Sequence, residues 1–155
     1  MLILDVDGVL TDGSIIYDSR GIEYKIFNVQ DGSGIKRIIK KGIKVALVTG
    51  RESPIILRRA RELGVGDDVY QGVKDKEAVA KRLLKKYDIL PEQVCAVGDD
   101  ILDLGLFRIA GFPVAVANAR PEVKKAARYI TAARGGAGAV REVIDMISNA
   151  QDKKI

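Results

Sequence analysis

The chain begins with the stretch LILDVDGVLTDG at residues 2–13, and the fold can be worked out from this stretch outward. Residues 2–6 form a short apolar run, typical of a buried strand, and the run ends in two carboxylates, Asp5 and Asp7. A spacing of two directs both side chains toward the same side of an extended chain. Two carboxylates placed together are unfavourable unless a cation or a proton lies between them. The first strand therefore predicts a cation-binding or reactive site at its carboxyl end.

Apolar strands alternate with helices along the rest of the chain. Further strands are predicted at 43–48, 69–70, 94–97, 113–117 and 129–130. Helices are predicted around Ile35 and Ile38 and at 53–64, 75–87, 100–110, from Pro121 and at 139–149. This alternation, with strands that are continuously apolar, predicts a parallel sheet covered on both faces. The expected fold class is α/β, a doubly wound (Rossmann-like) parallel sheet.

One segment departs from the alternation and is expected to be a small β-hairpin insertion after the first strand. It covers residues 14–27, with its turn at 18–21 and a second arm in which apolar and polar residues alternate. We expect residues 1–150 to form a single domain with no separate cap domain, and residues 151–155 to be a frayed tail.

Composition excludes several kinds of chemistry. The 155 residues include no histidine and one cysteine, and the net charge is +5. Histidine-dependent catalysis and histidine metal ligands are therefore excluded, and the single thiol fits a reducing, cytoplasmic compartment. The N-terminus lacks the features of a signal peptide, and no apolar run is long enough to cross a bilayer. No basic cluster interleaved with aromatics is present, so we expect neither a nucleic-acid nor a membrane partner.

Polar residues also follow other predicted strands. Thr49 follows the strand at 43–48, Asp99 and Asp100 follow the strand at 94–97, and Asp103 lies one turn further on. In open parallel sheets, ligands bind outside the carboxyl ends of the strands, so these groups are expected to converge with Asp5 and Asp7. A lysine near residue 76 is expected at the same edge of the sheet. A single Asp at such a position can be a helix cap, but capping does not account for the Asp pair together with Thr49 and this lysine.

Four motifs, in order, resemble those of the haloacid dehalogenase-like phosphohydrolases: residues 5–13, 48–51, Lys76 and 98–103. The resemblance covers nearly the whole chain. The segments 7–13, 27–32 and 138–142 are similar in more detail to the capless subfamily of 3-deoxy-D-manno-octulosonate 8-phosphate phosphatases. The resemblance implies Mg²⁺-dependent hydrolysis of a sugar-acid phosphate monoester, most closely 3-deoxy-D-manno-octulosonate 8-phosphate, in lipopolysaccharide biosynthesis.

The resemblance and the chemistry of phosphoryl transfer assign roles to the motif residues. Asp5 is expected to be the nucleophile that forms an aspartyl-phosphate, and Asp7 the acid that protonates the leaving oxygen and then helps to activate water. The Mg²⁺ ligands are expected to be Asp5, the backbone carbonyl of Asp7, and Asp99. Asp100 and Asp103 are expected not to bind the ion directly but to hold waters or orient Lys76. The phosphoryl oxygens are expected to be held by Thr49, the Gly50 amide and Lys76. Lys74 is the alternative candidate for the role of Lys76.

The substrate side is implied by the same resemblance. Sugar-acid contacts are expected from the segment after the hairpin and from basic residues on the next two helices: Asn28, Val29, Gln30, Asp31, Gly32, Lys36, Arg51 and Arg59. Because no cap closes the site, and because an apolar hairpin face needs a partner, we expect an oligomer with sites completed across subunits. The resemblance implies that this oligomer is a homotetramer. The loop at 134–138 resembles a segment that approaches a neighbour's site. Asn118 departs from the family pattern, in which an acidic residue is expected.

Two alternatives remain open. One is a phosphatase of the same type that acts on another nonulosonate phosphate, such as an N-acylneuraminate 9-phosphate. The other is a phospho-accepting signalling receiver domain, although the third strand here ends at Gln71 and Gly72 rather than at an Asp.

Cys95 lies inside an apolar strand and is expected to be part of the core.

Overall fold

The structure is a computed structural model, and it describes residues 1–152. Over these residues the strands are β1 Leu2–Leu4, β2 Ile16–Tyr17, β3 Glu23–Tyr24, β4 Val45–Val48, β5 Val69–Tyr70, β6 Cys95–Gly98, β7 Phe112–Ala115 and β8 Tyr129–Ile130. The α-helices are α1 Val29–Lys40, α2 Pro54–Leu63, α3 Lys76–Tyr87, α4 Leu104–Phe107, α5 Pro121–Ala126 and α6 Ala139–Asp152. Single 3₁₀ turns occur at Pro91–Gln93 and Ile101–Asp103.

Six strands form one parallel sheet in the order β5-β4-β1-β6-β7-β8, and β2 pairs with β3 in a separate antiparallel hairpin. Helices α1, α2 and α6 pack together, and α4 packs with α3 and α5. Right-handed crossovers place these two groups on opposite faces of the sheet. The doubly wound α/β fold predicted from the sequence is confirmed.

The most buried strands lie at the centre of the sheet. Every residue of β1, β4 and β6 is buried, as expected for strands covered on both faces. Leu4 of β1 lies opposite Leu47 of β4 and Val97 of β6. The chain runs outward from β1 to β4 and β5, and then returns to β6 on the other side of β1. A crevice therefore opens at the carboxyl ends of β1 and β6, where the chain changes direction.

The helix boundaries follow local signals. Ser53 caps α2, Pro54 occupies its first turn, and Gly64 ends it with a left-handed backbone. The helix expected at 100–110 is instead a 3₁₀ turn followed by the short α4, because the Asp103 carboxylate accepts the backbone N–H groups of Asp99 and Asp100 and tightens the turn.

The C-terminal helix is longer than expected. Gln151 and Asp152, predicted as part of a frayed tail, are the last residues of α6, and residues 153–155 lie outside the described part of the chain. Among the helices of residues 1–152, none has both the length and the hydrophobicity that a membrane span requires.

Candidate active site

Three carboxylates meet in the crevice at the end of β1 and β6. Asp5, Asp99 and Asp103, here called the acidic cluster, each offer an oxygen within 4.8 Å of the others. Asp5 is the residue after β1, and its backbone N–H donates to Val97 of the neighbouring strand at 3.1 Å. Asp99 follows β6 directly, so parallel pairing of β1 with β6 accounts for the meeting of the two acids.

A buried lysine joins the acidic cluster. Lys76 is the first residue of α3, and its Nζ lies 2.7 Å from Asp5 Oδ1 and 2.6 Å from Asp103 Oδ1. Burial by itself would lower the pKa of Lys76, but the Asp5 and Asp103 carboxylates together raise it, so this residue stays cationic. Lys74, its competitor in the sequence, is exposed. The geometry therefore favours Lys76 over Lys74 as the lysine of the site.

The charges of the acidic cluster suit a divalent cation. Three carboxylates and one ammonium leave two negative charges in a buried space. Burial raises the pKa of Asp5 well above its ordinary range, and burial together with the Asp103 carboxylate raises the pKa of Asp99 to about 6. Asp99 Oδ1 is buried and makes no hydrogen bond. A hard, oxygen-loving cation of charge +2 would satisfy this free oxygen and offset the excess charge.

The two acids expected behind the metal ligands differ in their surroundings. Asp103 Oδ1 accepts a hydrogen bond from Lys76. Asp103 Oδ2 accepts from the backbone N–H groups of Asp99 and Asp100, at 2.8 and 3.1 Å. Its oxygens are therefore committed to holding the loop and the lysine. Asp100 is exposed, and its carboxylate accepts from the N–H of Ile101 at 2.7 Å. Asp100 Oδ1 also lies 3.9 Å from Arg120 Nε, so its contacts in this chain are with the turn that it caps and with an exposed arginine.

The loop that carries Asp5 and Asp7 is stabilised by contacts with Asn118 and with the loop at 134–138. Gly8 has φ +91°, and a Cβ there would lie 2.1 Å from Asp99 Oδ2, so only glycine fits. Asn118 donates from Nδ2 to the Gly8 carbonyl at 3.0 Å and accepts from the Gly135 N–H at 2.6 Å. The Gly136 N–H donates to the Val9 carbonyl at 3.0 Å. The loop at 134–138, expected near a neighbour's site, therefore packs on the first loop of its own chain.

The contacts of Asn118 also bear on its departure from the family pattern. One end of its amide donates while the other accepts, whereas an ionised carboxylate can only accept. An amide therefore suits both partners at this position.

Thr49 and Gly50 lie at the carboxyl end of β4, next to β1. Thr49 is buried, and its Oγ1 accepts the Arg51 N–H at 3.2 Å. Gly50 is exposed, and its nearest non-neighbouring atoms are about van der Waals distance from where a Cβ would lie. The register of β4 with β1 brings both residues to the crevice that contains Asp5.

The hairpin supplies two residues that the sequence analysis did not identify. The Lys25 ammonium bonds to Asp7 Oδ1 and lies 3.5 Å from Glu23 Oε1, and the Lys25 side chain is only 3% exposed. Glu23 in turn accepts from Arg51 at 2.9 Å and from the Ser53 hydroxyl at 2.6 Å. Glu23 and Lys25 thus bind the second arm of the hairpin to the edge of the crevice.

The alternation of apolar and polar residues in this arm predicts a half-buried strand whose apolar face needs a partner subunit. Within the single chain, Ile22, Tyr24 and Ile26 are exposed, in agreement with that expectation. The sequence analysis did not predict that the polar face would be buried. That face is buried against the crevice because its partners there, Asp7 and Arg51, are charged.

Three of the residues expected to bind the sugar acid have structural contacts. Asn28 caps α1 by accepting from Gln30 and Asp31 N–H groups. Asp31 is buried, and its Oδ1 accepts the N–H of Arg141 in the first turn of α6 at 2.7 Å. A Cβ on Gly32 would lie 2.4 Å from an Arg59 nitrogen and 3.1 Å from Leu63 Cδ2, so a larger residue where α1 meets α2 would displace the Arg59 side chain.

The other predicted sugar-acid contacts fall into two groups. Val29 and Gln30 are exposed in the first turn of α1, and Lys36 is exposed further along the same helix. The two arginines are already paired. Arg51 contacts the Tyr17 hydroxyl as well as Glu23, and Arg59 pairs with Glu62 at 3.2 Å and lies over the Phe27 ring.

Cys95 is part of the core, as expected. Burial raises the pKa of its thiol to about 12, so it carries no nucleophilic thiolate at neutral pH.

Known proteins are similar to this chain in sequence. The family model described as haloacid dehalogenase-like hydrolase matches residues 67–144. A 3-deoxy-D-manno-octulosonate 8-phosphate phosphatase from Yersinia pestis is 46% identical over 153 residues, covering 99% of this chain and 81% of that protein. The corresponding enzyme of Escherichia coli K12 is 45% identical with the same coverage.

Solved structures of octulosonate phosphatases are similar to this chain in both fold and sequence. The phosphatase of Moraxella catarrhalis, crystallised with magnesium, phosphate and a KDO molecule, has a TM-score of 0.94 and 44% identity, covering 97% of this chain and 86% of that one. The cobalt-bound octulosonate phosphatase of Haemophilus influenzae has a TM-score of 0.93 and 43% identity, covering 98% and 88%.

The chain belongs to the haloacid dehalogenase-like hydrolases, and the relatives it matches over nearly its whole length are octulosonate 8-phosphate phosphatases. It is a phosphomonoesterase. This membership excludes the receiver-domain alternative.

Proposed function

We propose that this chain hydrolyses 3-deoxy-D-manno-octulosonate 8-phosphate to the free sugar acid and phosphate, through an aspartyl-phosphate on Asp5 and with Mg²⁺ as cofactor. The carrying observation is the contact of Lys76 with Asp5 and Asp103 beside a free Asp99 oxygen, in the crevice where β1 and β6 end. Relatives that bear the name of this activity are about 45% identical to the chain, in agreement with that substrate.

The proposed chemistry uses Asp5 and Asp7. In the first step an Asp5 oxygen forms a bond to phosphorus while the ester P–O bond breaks, and Asp7 gives its proton to the leaving oxygen. In the second step Asp7 takes a proton from water as the water oxygen attacks phosphorus, and the bond between Asp5 and phosphorus breaks. Phosphate is released and both acids return to their starting states.

The surrounding residues stabilise charge on the phosphoryl group. Mg²⁺, when bound, neutralises charge on the phosphoryl oxygens, and its protein ligands would be Asp5, Asp99 and the Asp7 carbonyl. Thr49, the Gly50 amide and the Lys76 ammonium would hold those oxygens. Asp103 keeps Lys76 cationic and in place.

The sugar acid carries a carboxylate beyond its phosphate, and arginine is suited to bind such a group. Arg51 lies beside the crevice, in contact with Glu23 and Tyr17 of the hairpin. We propose that Arg51 takes this carboxylate, with Lys36 and Arg59 contributing from the adjacent helices. The exposed Val29 and Gln30 are the remaining contacts from the segment after the hairpin.

The assembly is proposed to be a homotetramer with sites completed across subunits. The supporting observation is the number of exposed large apolar residues on the hairpin and the segments beside it: Ile15, Ile16, Tyr17, Ile22, Tyr24, Ile26 and Val29. An exposed apolar face of this kind is typical of a protein–protein contact. We further propose a cytoplasmic location and a role in lipopolysaccharide biosynthesis.

A phosphate-release assay over a panel of sugar phosphates, with and without Mg²⁺, tests the proposal. We expect the octulosonate ester to have the highest kcat/KM and chelation to abolish turnover. D5N should retain its fold and lose turnover, with the loss measured on the same esters. A higher kcat/KM for an N-acylneuraminate 9-phosphate would contradict the substrate, and full activity in D5N would contradict the nucleophile.

A further inference from the structure

We propose that Lys25 is a positioning residue for Asp7: its ammonium holds Asp7 Oδ1, so that Oδ2 is the oxygen that exchanges the proton with the leaving group. The inference rests on the proposed function, because it assigns a role within that reaction. It begins from an observation that the phosphoryl-transfer motifs do not explain, namely a lysine buried beside Asp7 from outside those motifs.

The burial of Lys25 indicates a specific role. Its side chain is 3% exposed, although it belongs to a hairpin whose opposite face is open to solvent. A buried ammonium is costly unless it is paired and hydrogen-bonded. Its partners are Asp7 Oδ1 and, at 3.5 Å, Glu23 Oε1. Lys25 is therefore held between two carboxylates and oriented by both.

The two oxygens of Asp7 are not equivalent. Oδ1 accepts from Lys25, whereas Oδ2 is buried and has no hydrogen-bond partner. An unpaired buried carboxylate oxygen is unfavourable and needs a partner that arrives later. When Oδ2 carries the proton, it can give that proton to the ester oxygen as the P–O bond breaks, and the new charge on Asp7 then lies against the Lys25 ammonium.

The choice of leaving group separates this role from a general structural one. An alkoxide leaving group needs a proton as it departs, whereas p-nitrophenolate is stable as an anion and does not. The ratio kcat/KM reports the steps up to phosphoryl transfer to Asp5. Loss of Asp7 positioning should therefore reduce kcat/KM for an alkyl phosphate much more than for p-nitrophenyl phosphate.

The variants are K25M, which removes the ammonium, and K25R, which keeps a cationic donor. We expect K25M to lower kcat/KM for the alkyl ester by at least about tenfold and for p-nitrophenyl phosphate by less than about threefold. K25R should recover part of the alkyl activity. K85M removes an exposed lysine of α3 and is the charge-matched control, expected to behave as wild type.

A double-mutant cycle tests whether Lys25 acts through Asp7. In the D7N background, K25M should cause no further loss on the alkyl ester, because the group that Lys25 positions has already been removed. The phosphoryl site itself should be intact, so Mg²⁺ with beryllium fluoride should raise the Tm of K25M as much as that of wild type.

Equal losses on both esters, additive losses in the D7N background, or a lost response to beryllium fluoride would each overturn the inference. The comparison uses whichever alkyl phosphate the wild type hydrolyses fastest. A failure of the octulosonate ester as substrate would therefore contradict the proposed function while Lys25 is still tested on another alkyl ester.

Discussion

Gly8 links the shape of the first loop to the proposed metal site. Its backbone has φ +91°, a conformation that L side chains rarely adopt, and the space beside its Cα is filled by the Asp99 carboxylate. Asn118, Gly135 and Gly136 hold the same loop from the opposite side. The positions of Asp5 and Asp99 therefore depend on a backbone path that only glycine allows.

Replacing Gly8 by alanine tests this dependence. G8A should weaken Mg²⁺ binding by at least about tenfold, because its Cβ would lie 2.1 Å from Asp99 Oδ2 and displace that carboxylate. The positive φ adds a backbone cost of about 1–2 kcal/mol. Mg²⁺ titration followed by calorimetry measures the change.

G21A is the matched control for G8A. Gly21 has φ +78°, and a Cβ there would meet no atom within 4 Å, so G21A has the backbone cost without the displaced carboxylate. Equal Mg²⁺ affinities of the two variants would show that Gly8 does not shape the metal site.

Among the elements, helices α1 and α6 are joined by Asp31. The first turn of a helix has backbone N–H groups without intrahelical partners. Asp31 reaches from α1 to the first turn of α6 and accepts the Arg141 N–H at 2.7 Å. A residue expected to bind substrate thus connects two of the three helices that cover one face of the sheet.

Substitution of Asp31 distinguishes these roles. D31A should lower the free energy of unfolding by about 1 kcal/mol through the lost cap, with KM for the substrate little changed. D31N keeps an acceptor oxygen and should recover part of the stability, and S33A, at an exposed position of α1, is the control. Thermal denaturation and steady-state kinetics measure both quantities. A raised KM with unchanged stability would restore the substrate-binding role.

The hairpin separates two functions on its two faces. Glu23 and Lys25 face the crevice, while the apolar side chains of the same arm face solvent. A two-stranded hairpin is marginal on its own and gains stability by packing. The proposed assembly would cover its apolar face.

A charge on that face should dissociate the assembly. Ile26 is 68% exposed on the hairpin, and we expect I26K to give a smaller particle, since burying an unpaired ammonium in an apolar contact is unfavourable. Leu90 is similarly exposed, at 64%, but lies away from the hairpin, so L90K should keep the wild-type mass. Light scattering measures both. An unchanged mass for I26K would argue against assembly through the hairpin.

For the whole molecule, we expect the acidic cluster to make the free energy of unfolding depend on both pH and Mg²⁺. The folded chain raises the pKa of Asp99 from 3.8 to about 6, chiefly through burial. A raised carboxyl pKa means that the metal-free folded state holds a proton that the unfolded chain has already lost. The stability contributed by this group is therefore present below pH 3.8 and is lost as pH rises through about 6.

We expect Mg²⁺ to reverse this loss. The increase in Tm on adding Mg²⁺ should be small at pH 5, where protons compete for Asp99, and larger at pH 7.5. At a concentration one hundred times its Kd, a ligand adds about 2.7 kcal/mol to the free energy of unfolding. Thermal denaturation with Mg²⁺ or a chelator at both pH values measures the effect.

D99N is the control for this pH dependence. It should be more stable than wild type in the metal-free form at pH 7.5, and it should respond little to Mg²⁺. Equal Tm increases at the two pH values in wild type would contradict a role for the Asp99 proton.

Local pattern was sufficient for the doubly wound sheet and for the identity of the acids that meet in it. Continuous apolar strands can only be buried on both faces, and parallel pairing then brings their carboxyl ends, with Asp5 and Asp99, to one crevice. The boundaries of α2 were equally local, because Ser53, Pro54 and Gly64 are signals read within one turn.

Contacts between distant segments were decided by the tertiary structure. Alternation in the hairpin shows that two faces differ, but which face is buried depends on the charges it meets across the crevice, Asp7 and Arg51. The role of Asp31 likewise depends on α6, which lies 110 residues further along the chain. Hydrogen bonds and ion pairs of this range leave no periodic trace in a sequence, because they depend on how the elements pack and not on how each one forms.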